Sequence, residues 1–109
     1  MSDHKQNVIS RVDEVSKELL SLSHKIHANP EVAWQEFESS AAVIKTLSDH
    51  GFDVVEQVSA LPTAFRAEFG SGDLTVALCA EYDALPGLGH ACGHNIIASS
   101  SVGAAIALA

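Results

Sequence analysis

The sequence feature that most constrains the fold is an apolar run that leads directly into a loop of chemically active side chains. The run covers residues 74–80, and nearly all of its side chains are apolar. The loop over residues 81–95 then carries two carboxylates, two imidazoles and a thiol. An apolar run without polar alternation is typical of a strand covered on both faces, so we predict a central strand at 74–80. Ligands in open α/β sheets collect beyond the carboxyl ends of such strands, which makes the loop the candidate functional site.

Two amphipathic helices are predicted before the central strand. Apolar residues recur at steps of three and four from Val8 to Ile26, which predicts a helix over residues 8–27. Pro30 is expected to end this helix, because the residue before a proline is disfavoured in the α conformation. A second helix is predicted over residues 36–49. Its inner face is expected to consist of Phe37, Ala41, Ile44 and Leu47.

Two more strands and a last helix complete a predicted α/β fold. Residues 52–58 are rich in β-branched side chains, and residues 63–69 alternate between apolar and polar ones, so both segments are predicted strands. The tail from 96 to 109 is predicted as a helix. Cys79 lies inside the apolar run and is expected to be a small buried hydrophobe. The last strand, loop and helix are in the order that begins a crossover to a parallel strand.

Charge and composition narrow the range of functions. The chain has 109 residues and a net charge of −8, and we expect neither nucleic-acid nor membrane binding, because those surfaces need clustered lysine and arginine. It has room for one domain at most. No signal peptide is apparent, which predicts a cytoplasmic location. The last predicted helix stops at Ala109 without a cap, so we expect the chain to be a fragment of a longer protein.

The loop has the residue types of a metal site. Cys92 and His94 form a Cys-x-His unit, and thiolate and imidazole are both good zinc ligands, while imidazole also suits manganese. Gly93 between them permits the bend that brings two side chains together. A catalytic zinc takes about three protein ligands and a water, so these two need others. We expect Asp83 to steady a ligand histidine with its carboxylate.

Other roles for the loop residues stay open. Cys92 is also a candidate nucleophile, with His94 or His90 as its base, because Cys-His pairs also make hydrolases. His90 is otherwise expected to orient a ligand or to hold the loop. Glu81 is a candidate additional ligand, and Tyr82 is expected to be a packing aromatic. A third hypothesis is a degenerate copy of an enzyme fold without catalytic activity.

Residues 80–87 read Ala-Glu-Tyr-Asp-Ala-Leu-Pro-Gly, and residues 89–95 read Gly-His-Ala-Cys-Gly-His-Asn. Together they resemble the double signature of the aminoacylase/peptidase superfamily of metal-dependent amidohydrolases. Residues 27–33, followed by Glu36 and Phe37, resemble the opening segment of one branch of that superfamily. This branch holds hippurate hydrolases and the aminobenzoyl-glutamate hydrolase B-type polypeptide. The resemblance covers nearly all of the chain, and the combined motif is highly specific.

The resemblance implies both a fold and an activity. It implies that residues 1–109 are the N-terminal part of a catalytic domain, a partial three-layer α/β sandwich with a mixed sheet and helices on both faces. The rest of that domain and a dimerisation domain are expected beyond Ala109, in a protein that forms a homodimer. The family uses one or two divalent ions, zinc or manganese. They activate water to hydrolyse an N-acyl amide or dipeptide bond in a small substrate.

Carried over residue by residue, the resemblance implies roles for the loop. Cys92 and His94 match metal ligands, and Asp83 matches the supporting carboxylate of the catalytic centre. Glu81 stands where other branches have a histidine ligand, and Asn95 stands where many members have aspartate. Both are candidates for orienting a ligand or contacting substrate, as is His90. The general base and the remaining ligands are expected downstream of Ala109, so we expect these 109 residues to be inactive alone.

Overall fold

The computed structural model describes residues 2–109, a mixed α/β arrangement of three helices and a two-stranded antiparallel sheet. Met1, the first residue of the predicted unit 1–109, lies outside the described residues. None of the helices within residues 2–109 is both long enough and apolar enough to cross a bilayer. In chain order the elements are α1 (Ser2–Ala28), α2 (Phe37–Asp49), β1 (Asp53–Glu56), β2 (Phe65–Glu68) and α3 (His94–Leu108).

The core lies mainly between α1 and α3, and the apolar stripe predicted for α1 is confirmed. Leu19 and Ile26 are buried on this face, and Val102 packs into the same cluster from α3. The two helices approach closely at Gly103, where an added Cβ would lie 2.8 Å from a methyl carbon of Leu19. Ser99 of α3 donates its hydroxyl to the Leu19 carbonyl at 2.6 Å. These contacts fix the helix that carries the candidate site residue at its start.

The inner face predicted for α2 is partly wrong. Leu47 is buried as expected, but Phe37 and Ala41 are exposed, and Val43 is fully buried instead. The buried face also includes Thr46, whose hydroxyl donates at 2.9 Å to the carbonyl four residues earlier. A hydroxyl that bonds its own helix can be buried at little cost, so apolar spacing alone gave the wrong rotation of the helix.

The two strands predicted first are confirmed, each in a shorter form. β1 and β2 pair antiparallel in a register that sets Asp53 opposite Glu68 and Glu56 opposite Phe65. Phe65 is partly buried against the core cluster. The sheet therefore covers one end of the helical core and carries Phe65 towards the loop.

The predicted central strand at 74–80 is absent from the described residues, and its predicted burial is wrong. Leu74 and Val76 are 85% and 70% exposed, and Cys79 is exposed rather than buried. A strand needs a neighbour for its backbone hydrogen bonds, but β1 and β2 pair with each other. No strand within residues 2–109 pairs with this segment. A side-chain bond from Ser101, at 2.7 Å to the Cys79 carbonyl, ties it to α3.

Candidate functional site

The loop between the apolar run and α3 is shaped by tight turns. The N–H of Leu85 donates to the Gly89 carbonyl at 2.9 Å, which closes one turn. Gly93 has a φ of +74°, in the left-handed region that favours glycine, and it directly precedes the first residue of α3. This turn sets the start of α3 at His94, two residues earlier than the sequence predicts. His94 is therefore held by a helix, and Cys92 belongs to the turn before it.

Asp83 and His94 are brought together, as expected for a histidine and its supporting carboxylate. The Nδ1 atom of His94 lies 2.8 Å from Oδ1 of Asp83 and 3.0 Å from the Asp83 main-chain oxygen. Both partners are acceptors when the carboxylate is ionised, so Nδ1 must carry the hydrogen. In the neutral imidazole the lone pair then resides on Nε2, the nitrogen that faces away from the pair. This is the tautomer that a metal ligand or a general base requires.

Cys92 supplies a second donor atom near the start of α3. Its thiol is free and exposed, two residues before His94. A sulfur and an imidazole nitrogen steadied by a carboxylate fit zinc chemistry as part of a ligand set. Across the described part of the chain, however, no three His, Cys, Asp or Glu side chains converge closely enough to hold a metal ion. The residues present therefore fit a metal in kind but not yet in number.

His90 lies beside this pair in an unusual environment. Both of its ring nitrogens are buried and have no hydrogen-bond partner among residues 2–109. Its ring centroid is 6.3 Å from that of His27 at the end of α1. Burial, and then the neighbouring charges of His27 and His94, hold the pKa of His90 below its ordinary value of 6.5. The neutral imidazole is thus favoured at this position.

The other two candidate residues lie apart from the Asp83–His94 pair. Glu81 is exposed, and its carboxylate forms no hydrogen bond to any residue that the structure describes. Asn95 is buried, and its Nδ2 donates to the Ser23 hydroxyl of α1 at 3.0 Å. The Asn95 amide therefore holds α3 against α1 in this structure.

Glu31 is a residue of the site region that the sequence analysis missed. Its carbonyl accepts the N–H of Ala84 at 2.7 Å, next to Asp83 in the chain. Its carboxylate accepts the N–H groups of Glu38 at 3.0 Å and Ser39 at 2.7 Å, at the start of α2. Burial raises the pKa of Glu31, but these hydrogen bonds outweigh it and leave the pKa below the ordinary 4.5. An acidic residue shortly before a predicted helix was the available signal.

Comparison with known proteins places this chain among curated hydrolases. Xaa-Arg dipeptidase of Mus musculus is 40% identical over 114 residues, covering 95% of this chain and 26% of the relative. The B-type polypeptide of p-aminobenzoyl-glutamate hydrolase from Escherichia coli K12 is 36% identical over 104 residues, covering 80% and 22%. Thermostable carboxypeptidase 2 of Saccharolobus solfataricus is 34% identical over 113 residues, covering 89% and 28%.

These alignments cover most of the chain but a minor part of each relative. The chain spans about a quarter of their length, between 22% and 28% for these three. No protein-family model matches the chain. The aligned stretches include the loop residues described above, since they extend over 80–95% of the 109 residues.

Proposed function

The chain belongs to the aminoacylase/peptidase superfamily of metal-dependent amidohydrolases, and we propose that the protein carrying it hydrolyses an N-acyl amide or dipeptide bond. The observation that carries this proposal is the bond from the Nδ1–H of His94 to Asp83, which leaves Nε2 as a free donor. The names of the relatives give the substrate class its support: a dipeptidase, an aminobenzoyl-glutamate hydrolase and a carboxypeptidase. The proposed substrates are small acyl-amino acids, aminobenzoyl-glutamate or β-alanyl dipeptides.

In the proposed site, Cys92 and His94 hold a divalent ion, zinc or manganese, and Asp83 keeps His94 in the correct tautomer. A bound ion supplies Lewis-acid polarisation of the scissile carbonyl and lowers the pKa of water towards about 7. One or two ions are proposed, together with ligands and a general base from outside these residues. This requirement agrees with the absence of a three-residue ligand set in the part of the chain that the structure describes.

The chain's own residues perform the orienting work in this proposal. Asp83 accepts the hydrogen bond from the protonated nitrogen of His94 and stabilises its orientation, as carboxylates do behind metal-binding histidines. His90, held neutral by burial, is proposed to shield the site beside His94. Glu81 and Asn95 stay predicted contributors, from opposite ends of the loop, to ligand orientation or substrate contact.

We propose the larger architecture on the same family basis. Residues 2–109 would form the N-terminal part of a three-layer α/β catalytic domain, in which the apolar run at 74–80 is a strand of a mixed sheet. An inserted domain would make the protein a homodimer. A cytoplasmic location also stays a prediction, as does the inactivity of these residues alone.

Metal content and hydrolysis together test the proposed function. In the protein that carries this chain, the double variant Cys92→Ala/His94→Ala should lose bound zinc or manganese and hydrolysis of the proposed amides. The matched control is Cys79→Ala/His24→Ala, which removes an exposed cysteine and an exposed histidine outside the loop. Full metal content and activity in the loop variant would contradict the proposal.

A cysteine-nucleophile hydrolase is the second candidate, because the Asp83–His94 bond also orients a histidine to act as a base. An aspartate, a histidine and the exposed Cys92 are the three residue types of a thiol triad. Chelation and alkylation distinguish the two functions. Activity that resists a chelator but is abolished by iodoacetamide would favour the thiol mechanism, and the reverse pattern favours the metal.

A further inference from the structure

The residues on either side of Asp83 are bound to two different parts of the chain. Before it, the Tyr82 hydroxyl donates to the main-chain carbonyl of Thr63, and the Tyr82 side chain is buried. After it, the N–H of Ala84 donates to the Glu31 carbonyl at 2.7 Å. The backbone of Asp83 is therefore restrained on both sides, although its own side chain is partly exposed.

The Tyr82 attachment continues inward to α2. Thr63 is buried, and its hydroxyl donates at 3.2 Å to Oε2 of Glu36, the residue just before α2. Glu36 is also buried, and its Oε1 has no hydrogen-bond partner among the described residues. A buried carboxylate is costly unless hydrogen-bonded, so the Thr63 hydroxyl is held strongly in place. The hydrogen bonds thus connect the start of α2, through Thr63, to the loop.

Packing and charge both favour a fixed, protonated tyrosine. The rings of Tyr82 and Phe65 stack with an interplanar angle of 4° and centroids 6.4 Å apart. Burial, and then the negative charge of Glu36, raise the pKa of Tyr82 to about 12. The hydroxyl therefore stays a donor at neutral pH. A phenylalanine would fill the same volume, so a tyrosine here is explained by its hydroxyl rather than by packing.

We propose that Tyr82 is a positioning residue, whose hydroxyl, held by Thr63 and Glu36, directs the Asp83 carboxylate onto Nδ1 of His94. The consequence for catalysis rests on the proposed function, but the positioning itself does not. Asp83 is adjacent to Tyr82, so release of the Tyr82 hydroxyl frees the backbone that aims the carboxylate. His94 then loses the acceptor that selects its tautomer.

The tautomer of His94 is the direct readout. In metal-free chain with ¹⁵N-labelled histidine, at a pH about two units above the ordinary histidine pKa of roughly 6.5, His94 should be a single Nδ1–H tautomer. Tyr82→Phe should give a mixture of both tautomers, while the exposed His24 stays unchanged. The matched control is Thr46→Val, which also removes a buried hydroxyl that donates to a carbonyl, but within α2. An unchanged His94 tautomer in folded Tyr82→Phe would overturn the proposal.

A second pair of variants protects the test if Tyr82→Phe does not fold. Thr63→Val removes the hydroxyl that bonds Glu36, and Thr63→Ser keeps it. Mixing of the His94 tautomers in the first and not in the second supports the proposal, and equal spectra from both overturn it.

Kinetics of the metal-loaded whole protein then separate positioning from substrate binding. We expect Tyr82→Phe to lower kcat about 10-fold, with KM and metal content within twofold, because small misplacement of a catalytic group slows the chemical step. If the unaltered protein hydrolyses none of the proposed amides, the proposed function fails, while the tautomer measurement still decides the role of Tyr82. A raised KM with unchanged kcat would contradict positioning.

Discussion

The α1–α3 interface and the segment 74–80 are both rich in apolar side chains, yet the first is buried and the second is exposed. Ile26 is 1% exposed at the end of the helical core, whereas Leu74 is 85% exposed. The difference lies in the backbone. A helix satisfies its own hydrogen bonds, so a single neighbouring helix is enough to bury one face. A central strand needs paired neighbours as well as cover for its faces, and residues 2–109 provide 74–80 with no paired strand.

The largest effect should come from the buried side of this comparison. Ile26→Ala should lower the free energy of unfolding by about 2–5 kcal/mol, because it removes buried methyl groups and leaves a cavity. Urea denaturation of the chain measures this. The control is Ile9→Ala in the same helix, where the side chain is 54% exposed and the expected change is below about 0.5 kcal/mol. Equal losses at the two positions would contradict the described packing of α1.

The close approach of α1 and α3 predicts a coupled effect. Gly103→Ala places a Cβ 2.8 Å from a methyl carbon of Leu19, and such overpacking costs about 1–3 kcal/mol. In a Leu19→Ala background that contact is absent, so the same substitution should stabilise α3 by about 1 kcal/mol through helix propensity. A double-mutant cycle in urea should therefore give a coupling of about 1–3 kcal/mol. Simple additivity would show that the helices do not meet at Gly103.

Sequence patterns predicted the elements that depend on local spacing. The stripe around Leu19 and Ile26 located α1, although the helix begins at Ser2 because polar residues before Val8 extend it without an apolar signal. The two short strands were also found. The strand at 74–80 was not, because its apolar composition indicates what a segment prefers, while pairing depends on what lies next to it.

The candidate site divides in the same way. The loop chemistry and the expected role of Asp83 beside His94 follow from residue types and motif spacing. The attachments of the neighbouring residues do not, because Thr63 and Glu31 lie 19 and 53 residues from their partners Tyr82 and Ala84. Nothing local in the sequence announces such partners, since a carbonyl is present at every residue.

The junction between the loop and α2 should show an intermediate effect that depends on pH. Glu31→Gln should destabilise the chain by about 0.5–1 kcal/mol at neutral pH, through weaker hydrogen bonds at the start of α2. The folded-state pKa of Glu31 lies below 4.5, so this stabilisation is present above pH 4.5 and is lost as pH falls through the folded value. Unfolding measured from pH 7 downwards should show the two proteins converging.

The exposed Asp13 of α1 provides the control for this titration, because it forms no hydrogen bond among those of the described residues. Asp13→Asn should leave the free energy of unfolding nearly constant relative to the parent chain over the same pH range. A gap for Glu31→Gln that widens in acid would show that the carboxylate is not stabilised as an anion.

The smallest effect is expected in the apolar run. Leu74→Ser should change the free energy of unfolding by less than about 0.5 kcal/mol, because a side chain that contacts mainly water loses little when it becomes polar. Leu22→Ser, on the buried stripe of α1, is the matched comparison and should cost several-fold more. Urea denaturation at low protein concentration measures both. A cost above about 2 kcal/mol at Leu74 would mean that a partner covers the run in solution, and the contrast between the two apolar regions would then reflect that partner rather than the backbone.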